Sequence, residues 1–266
     1  MTTGAEGGGR KPDVGILSPR EDRAGKGEPA PAGAELTVLH HADDCLIMSQ
    51  RLSEWVSRGP DLETDIALAN IALDHLGVAR TLLERAADLE GQGRTEDDLA
   101  MMRSEREFTN LLLCEQPNGD FGQTIARLFC FDTYQLLLWE ALAAAADPVL
   151  AGVAGKARME AAYHLRFSSD WVVRLGAGTA ESKLRMQGGL DTIWRFTGEM
   201  FERPPASGLE TQWRSRVAKV LVEAGLDQPA DPYQRTGGRE GMHTEHLGHL
   251  LAEMQWLARA HPGAGW

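Results

Sequence analysis

The chain has 266 residues, 42% of them hydrophobic and 25% charged, an ordinary composition for a globular protein with one large domain or two small ones. Its formal net charge of −12 repels nucleic-acid phosphates and anionic lipids, so neither is an expected partner. No apolar run approaches the roughly 20 residues of a membrane span, and the first residues lack the pattern of a secretory signal. We therefore expect a cytoplasmic protein without membrane contact.

The composition changes near residue 34. Residues 1–33 contain eight glycines and four prolines but almost no large apolar residues, so they cannot bury enough surface to offset the entropy of ordering. We interpret them as a disordered N-terminal tail. From residue 34 to residue 266, apolar residues recur at spacings of three and four, the period of an α-helix. The sequence therefore predicts an all-α domain over 34–266.

Capping residues and helix breakers set the predicted helix ends. Gly59-Pro60 stops the first helix, Asp61 and Asp120 cap the second and third long helices, and Asp147-Pro148 begins a fourth that Gly176 is placed to end. The predicted helices cover 35–57, 61–89, 97–114, 120–146, 148–176, 182–202, 210–224 and 242–260. Four helices of about 23 to 28 residues favour a ferritin-like four-helix bundle, here with additional C-terminal helices.

Polar residues interrupt the apolar stripes of these long helices. Asp132 and Gln135 fall within the apolar face of the third long helix, and Glu160 and His164 fall within a similar line on the fourth. Ferritin-like proteins build their di-iron sites in such a layer, with one Glu from each of two helices and Glu-x-x-His from each of the others. The residues of the candidate layer are Asp44, Asp74, Asp132, Gln135, Lys156, Glu160 and His164.

The spacing within this layer does not match a di-iron ligand set. Glu160 and His164 are four residues apart rather than three, and Asp132 and Gln135 stand where Glu and His would be expected. A hydrogen bond or ion pair one helical turn apart is the more ordinary interpretation of Glu160 and His164. We therefore expect no metal ion in this polar layer. Our hypothesis is that Lys156, together with His164, replaces a metal electrostatically in the interior.

Three C-terminal features offer weaker candidate sites. The sequence contains one true Glu-x-x-His, from Glu240 to His243, in a glycine-rich segment. Histidines at intervals of three could bind zinc or iron, although structural or interface roles are favoured for His243, His246 and His249. The segment RTGGREG could receive a phosphate through backbone N–H groups and Arg235 or Arg239, but a flexible connection is favoured.

Three cysteines without C-x-x-C spacing indicate neither disulfides nor a thiolate metal site.

Several long segments are familiar as a set. They are DDCLIMSQRLSEWV, LETDIALANIALDHLGVAR, FTNLLLCEQPNGDFGQTIAR, YHLRFSSDWVVRLGAGT and RTGGREGMHTEHLGHLLAEMQWLARAHPG. In these segments the chain closely resembles the family of the C subunit (PaaC) of the bacterial ring-1,2-phenylacetyl-CoA epoxidase. The resemblance covers essentially everything after residue 35.

This resemblance implies a ferritin-like subunit of a multicomponent, NADPH-dependent oxygenase of aerobic phenylacetate breakdown. The implied partners are a catalytic A subunit, whose di-iron centre epoxidises the aromatic ring of phenylacetyl-CoA, and a reductase component with flavin and iron-sulfur groups. The C subunit itself is implied to be structural, to lack a working metal site and to contribute no catalytic residue or cofactor. Contact with the CoA portion of phenylacetyl-CoA stays open.

Two alternatives of other classes remain at this point. One is an autonomous di-iron oxidase with unusually spaced ligands: Asp44, Asp74, Asp132, Glu160 and His164. The other is a CoA-ester binding module that acts through RTGGREG.

Overall fold

A computed structural model of the chain describes residues 34–230 and 233–264, so the predicted tail over 1–33 lies outside the described residues. Within these two ranges every regular element is helical and no strand occurs, which confirms the predicted all-α class. The α-helices are α1 (Ala34–Ser53), α2 (Leu62–Glu90), α3 (Glu96–Met101), α4 (Leu112–Glu115), α5 (Phe121–Leu142), α6 (Pro148–Gly176), α7 (Ala180–Ile193), α8 (Glu210–Ala224) and α9 (Glu245–Ala260). Short 3-10 turns cover Glu105–Glu107, Trp194–Phe196, Gly198–Phe201, Ala206–Gly208 and Gly238–Glu240.

The four long helices form two helical hairpins. α1 packs along α2, α5 packs along α6, and contact between α2 and α6 joins the hairpins. α1 and α5 contact each other through side chains, since the ring centroids of His41 on α1 and Trp139 on α5 lie 5.8 Å apart. α7 and α8 cover α5 and α6, and the indole N–H of Trp213 on α8 donates to the backbone carbonyl of Cys130 on α5 at 2.9 Å. This arrangement is consistent with a ferritin-like helical fold.

The predicted helix starts are confirmed where a local cap sets them. The side chains of Asp61, Asp120 and Asp147 accept backbone N–H bonds of the first turns of α2, α5 and α6 at 2.7 to 3.0 Å. Gly176 ends α6, but not by a left-handed turn. A Cβ at Gly176 would lie 2.5 Å from the backbone oxygen of Ala224, so glycine is needed here for the close approach of α6 to the end of α8.

The single helix predicted over 97–114 is wrong. The chain breaks between α3 and α4, because buried carboxylates of α1 accept backbone N–H groups that a continuous helix would use internally. Thr109 N–H donates to Asp43 at 2.9 Å, and Leu111 N–H donates to Asp44 at 2.7 Å. Hydrogen bonds to a distant helix have overridden the local helical pattern.

Other predicted ends are shifted by a few residues. The first helix stops at Ser53 and α5 stops at Leu142, each four residues before the predicted end. The helix predicted over 182–202 becomes α7 followed by two 3-10 turns, and α9 begins at Glu245 rather than at residue 242. The helix predicted over 210–224 is observed with those bounds.

α2 is long and apolar enough to cross a membrane by length and composition alone, and it is the one such helix among the described residues. One face of it, however, packs on α1 and α6 and contains the buried residues Leu68, Ile71 and His75. The observation is weak evidence for a membrane span, because the core helices of globular proteins meet the same criteria.

Candidate functional site

The structure separates the seven residues of the predicted polar layer into three environments. Asp44 is buried beside an arginine. Asp132, Gln135 and His164 are buried in the core between α2, α5 and α6. The remaining three residues lie nearer to the surface: Asp74, Lys156 and Glu160.

Asp44 forms a buried ion pair with Arg239. The guanidinium Nη1 and Nη2 donate to Oδ1 and Oδ2 of Asp44 at 2.9 and 2.7 Å, a two-pronged geometry that is among the strongest side-chain pairings. Burial disfavours the charge of Arg239, but the Asp44 carboxylate outweighs burial and raises the pKa of the guanidinium. Arg239 also donates to the backbone oxygens of His40 and Thr109. Asp44 is therefore neutralised without a metal ion.

The neighbouring Asp43 is neutralised in the same way. Both oxygens of Asp43 accept hydrogen bonds from Arg103, at 3.0 Å for Nη1, and both side chains are almost fully buried. The guanidinium of Arg103 also lies over the ring of Phe108, 4.2 Å from its centroid. Sequence reasoning missed both ion pairs, because each arginine lies at least 60 residues from its carboxylate and the pairing leaves no periodic signal.

A second group of buried polar residues joins α2, α5 and α6. One potential ligand atom from each of His75, Asp132 and His164 lies within 4.8 Å of the other two. Ser168 donates to Oδ2 of Asp132 at 2.7 Å, and Nε2 of His164 lies 3.0 Å from Oδ2 of Asp74. The rings of His75 and His164 lie 5.2 Å apart at their centroids. Below, "the α2/α5/α6 cluster" denotes His75, Asp132 and His164.

Burial dominates the electrostatics of this cluster. It raises the pKa of Asp132 to about 8 and lowers the pKa of His75 well below its usual value. Burial also lowers the pKa of His164, although the Asp74 carboxylate opposes that shift. Among the described residues, Nε2 of His75, Oδ1 of Asp132 and both amide atoms of Gln135 have no hydrogen-bond partner. Such buried, unpartnered polar atoms are unusual in a protein interior.

His75 belongs to this cluster, although sequence reasoning missed it. It follows Asp74 on α2, one position around the helix, and only 4% of its surface is exposed. A usable signal did exist, because His75 lies four residues after Ile71 on the buried face of α2.

Lys156 does not enter the interior, so the hypothesis that it replaces a metal there is wrong. Its side chain is 76% exposed and pairs with Glu160 on the surface of α6, with 3.4 Å between Nζ and Oε1. His164 pairs with Asp74 rather than with Glu160. The buried stripe of α6 runs through small residues that carry little hydrophobic signal, and its members are Leu150, Ala154, Ala157, Ala161, His164, Ser168, Val172 and Gly176.

The C-terminal candidates are used in the structure for packing. The carboxylate of Glu115 contacts both His243 and Thr244. Its Oε2 is 2.7 Å from Nδ1 of His243, and its Oε1 accepts a hydrogen bond from the backbone N–H of Thr244 at 2.6 Å. Nε2 of His243 lies 2.8 Å from the backbone oxygen of Phe108. Glu240 instead pairs at the surface with Arg203, so Glu240 and His243 do not form a metal ligand pair.

The Gly237-Gly238 turn of the RTGGREG segment presents no free phosphate site, although Arg235 is exposed. The backbone N–H groups of Gly237 and Gly238 donate to Oε1 of Glu199 at 2.9 and 2.7 Å, so a carboxylate of the chain itself already fills the anion position. Burial raises the pKa of Glu199 to about 7, against the opposing effect of its backbone donors. Arg239 is buried with Asp44. The expected flexible connection is therefore an ordered anchor of the C-terminal segment.

The described residues do not fit a di-iron centre. A ferritin-like di-iron site needs four carboxylates and two histidines. Here Asp44 is bound by Arg239, Asp74 lies at the surface side of His164, and Gln135 supplies an amide where a charged or imidazole ligand is needed. Asp132 is left as the one fully buried carboxylate in the cluster.

The class defined by this fold and site is a ferritin-like helical protein whose polar layer is not a complete di-iron ligand set. A family model described as "Phenylacetic acid catabolic protein" matches residues 21–266, and the chain belongs to that family. It is similar to the C subunit of 1,2-phenylacetyl-CoA epoxidase from Escherichia coli (strain K12), with 47% identity over 242 residues. The match covers 86% of this chain and 97% of the Escherichia coli protein. The family resemblance seen in the sequence is confirmed.

Proposed function

We propose that the chain is the structural, non-catalytic C subunit of a cytoplasmic phenylacetyl-CoA epoxidase. In this proposal it supports a catalytic A subunit, whose di-iron centre epoxidises the ring, and a reductase supplies electrons from NADPH through flavin and iron-sulfur groups. The observation that carries the proposal is the 47% identity to the C subunit of an epoxidase along 97% of its length. No redox cofactor is assigned to this chain.

The state of the polar layer supports a structural role. Two positions that could have supplied carboxylate ligands, Asp43 and Asp44, are bound by arginines. Removing either arginine would leave a buried carboxylate uncompensated, so these pairs hold the helices in place instead of holding iron. This arrangement also argues against the autonomous di-iron oxidase. The buried state of Arg239 argues against a CoA-ester site in RTGGREG.

The outer surface of α2 supports assembly with another subunit. Its apolar residues recur at spacings of four, seven and three, so they share one helix face, and all are exposed: Leu62, Ile66, Leu73 and Leu76. This α2 outer stripe spans about 21 Å along the helix axis. An exposed apolar stripe of this kind, here interrupted by the exposed Asn70, marks protein–protein contact sites. We assign the stripe to contact with the catalytic A subunit.

The proposal is tested by reconstitution. NADPH oxidation dependent on phenylacetyl-CoA is measured for the A subunit with reductase, with and without this chain, and the metal content of each purified chain is determined. We expect turnover to require this chain and the paired iron to be found in the A subunit. Turnover by this chain with reductase alone, or two iron ions per copy of this chain, would instead identify it as the oxidase.

A further inference from the structure

The α2/α5/α6 cluster carries an inference that is independent of the proposed assembly role. We propose that His75, Asp132 and His164 bind one divalent transition-metal ion of the zinc class, which links α2, α5 and α6 in the core. The site is distinct from a di-iron centre, because it uses one carboxylate and two histidines for a single ion. It departs from the expectation, drawn from the sequence, that the chain holds no metal.

The donor atoms are close enough for a single ion. Ligand nitrogens and oxygens bind zinc at about 2.0 to 2.2 Å, so two ligands of one tetrahedral ion lie roughly 3.4 Å apart. The three donor atoms here lie within 4.8 Å of one another, and side-chain rotations that shift them by about an ångström would close the site. Two imidazoles with one carboxylate are a recurrent donor set for zinc and iron(II).

The unpartnered atoms of the cluster are those that a metal would use. Nε2 of His75 and Oδ1 of Asp132 have no hydrogen-bond partner among the described residues, and both side chains are more than nine-tenths buried. Asp132 is otherwise held only by the hydroxyl of Ser168. Unlike Asp43 and Asp44, it has no arginine beside it. Binding of a cation here would displace the proton of the buried Asp132 carboxyl and supply the counter-charge that this side chain lacks among the described residues.

Two neighbours of the cluster are placed to support an ion. Asp74 holds His164 through Nε2, and a carboxylate that orients a metal-binding histidine is a common supporting contact. Gln135 lies one turn after Asp132 on the buried face of α5, and its amide oxygen is unpartnered. It is a candidate fourth ligand, together with solvent. The exposed Lys156 lies outside this arrangement.

The test uses Co²⁺ as the probe, because its visible absorption reports the ligand geometry. The full chain, stripped of metal with a chelator, is titrated with Co²⁺ and then with Zn²⁺, and the bound metal is counted by elemental analysis. We expect one Co²⁺ per chain, with the absorption bands of a four- or five-coordinate ion. These bands should disappear when Zn²⁺ displaces Co²⁺. The melting temperature of the chain should be higher in the presence of either metal.

Two site variants and one matched control make the test specific. His75→Leu and Asp132→Asn are expected to weaken Co²⁺ binding at least tenfold and to abolish the metal-dependent rise in melting temperature. His41→Leu is the control, because His41 is equally buried and both of its ring nitrogens are unpartnered, but it lies outside the cluster. Circular dichroism confirms that each variant is folded. Absence of the Co²⁺ bands in the wild-type chain, or equal binding by all four proteins, would overturn the proposal.

Discussion

The carboxylate of Asp44 and the guanidinium of Arg239 form a buried, two-pronged ion pair across 195 positions of sequence. One partner lies on α1 and the other in the 3-10 turn before α9, so the pair fastens the C-terminal segment to the first hairpin. It also occupies the carboxylate of Asp44, one of the candidate ligands of the predicted polar layer. The same contact therefore bears on stability and on whether Asp44 is free to bind a metal ion.

Replacement of Arg239 tests which cation neutralises the interior. Arg239→Met leaves Asp44 buried without a counter-charge, so we expect the free energy of unfolding to fall by about 3 to 5 kcal/mol. Lys156→Met is the matched control, because Lys156 is an exposed cation, and its effect should stay within about 0.5 kcal/mol. Denaturant unfolding measures both values, and similar losses for the two variants would contradict the placement of the charges.

The double variant Asp44→Asn/Arg239→Met separates a lost attraction from a stranded charge. Removal of both charges should recover part of the loss seen for Arg239→Met alone, because no ionised carboxylate then remains unpaired. A double variant no more stable than Arg239→Met alone would show that the pair does not act as described.

The pair of Glu115 and His243 predicts a pH dependence of stability. Burial disfavours the charged form of His243 and so lowers its pKa. The hydrogen bond and the charge of Glu115 outweigh burial and raise the pKa of His243 above the usual 6.5. Both ring nitrogens face acceptors, which suits the protonated ring. A raised pKa in the folded state stabilises the protein fully below pH 6.5, and this contribution is lost as the pH rises through the folded value.

The measurement compares urea unfolding across this pH range. Between about pH 6 and pH 9, wild-type protein should lose stability relative to His243→Gln, since the variant lacks the titrating group. His249→Gln, a change at a histidine of α9 outside the buried core, should follow the wild-type curve. Parallel curves for wild type and His243→Gln would contradict the raised pKa.

Two adjacent glycines of α7 predict opposite effects of the same substitution. A Cβ at Gly189 would lie 2.7 Å from Cα of Gln123 on α5, whereas a Cβ at Gly188 would meet no atom within 4 Å. Gly189→Ala should therefore destabilise the chain by about 1 to 3 kcal/mol through overpacking. Gly188→Ala should stabilise it by up to about 1 kcal/mol, because alanine is the better helix former. Melting temperatures with the same sign of change for both variants would refute the close approach of α5 and α7.

The α2 outer stripe predicts variants that affect assembly but not folding. Leu73→Glu places a charge in the exposed apolar stripe, so co-purification with the A subunit should fall at least tenfold while the melting temperature changes little. Val222→Glu on α8 is the control, because Val222 is also exposed but lies on a helix that packs mainly on α5 and α6. Equal loss of the A subunit from both variants, or from neither, would place the interface elsewhere.

Local signals explain what the sequence can predict of this fold. The caps Asp61, Asp120 and Asp147 act on the N–H groups of their own first turns, so the predicted starts of α2, α5 and α6 are correct. The buried positions of Asp132 and Gln135 on α5 are also predictable, because large apolar residues surround them at helical spacing.

Long-range contacts explain what the sequence cannot predict. The break at residues 102–111 depends on hydrogen bonds to Asp43 and Asp44 on α1, which no local pattern contains. The sequence pattern places Lys156 on the inward face of α6, because the true buried stripe consists largely of small residues (alanine, serine and glycine) that carry little hydrophobic signal. The partner of Asp44 is equally hidden, since Arg239 lies at the other end of the chain.

Co-expression with an A subunit, followed by size-exclusion chromatography with light scattering, tests the structural role of this chain most directly. A structural role predicts one peak that contains both chains, at a mass well above the 29.1 kDa of this chain alone. Separate elution of the two chains under native conditions would contradict it.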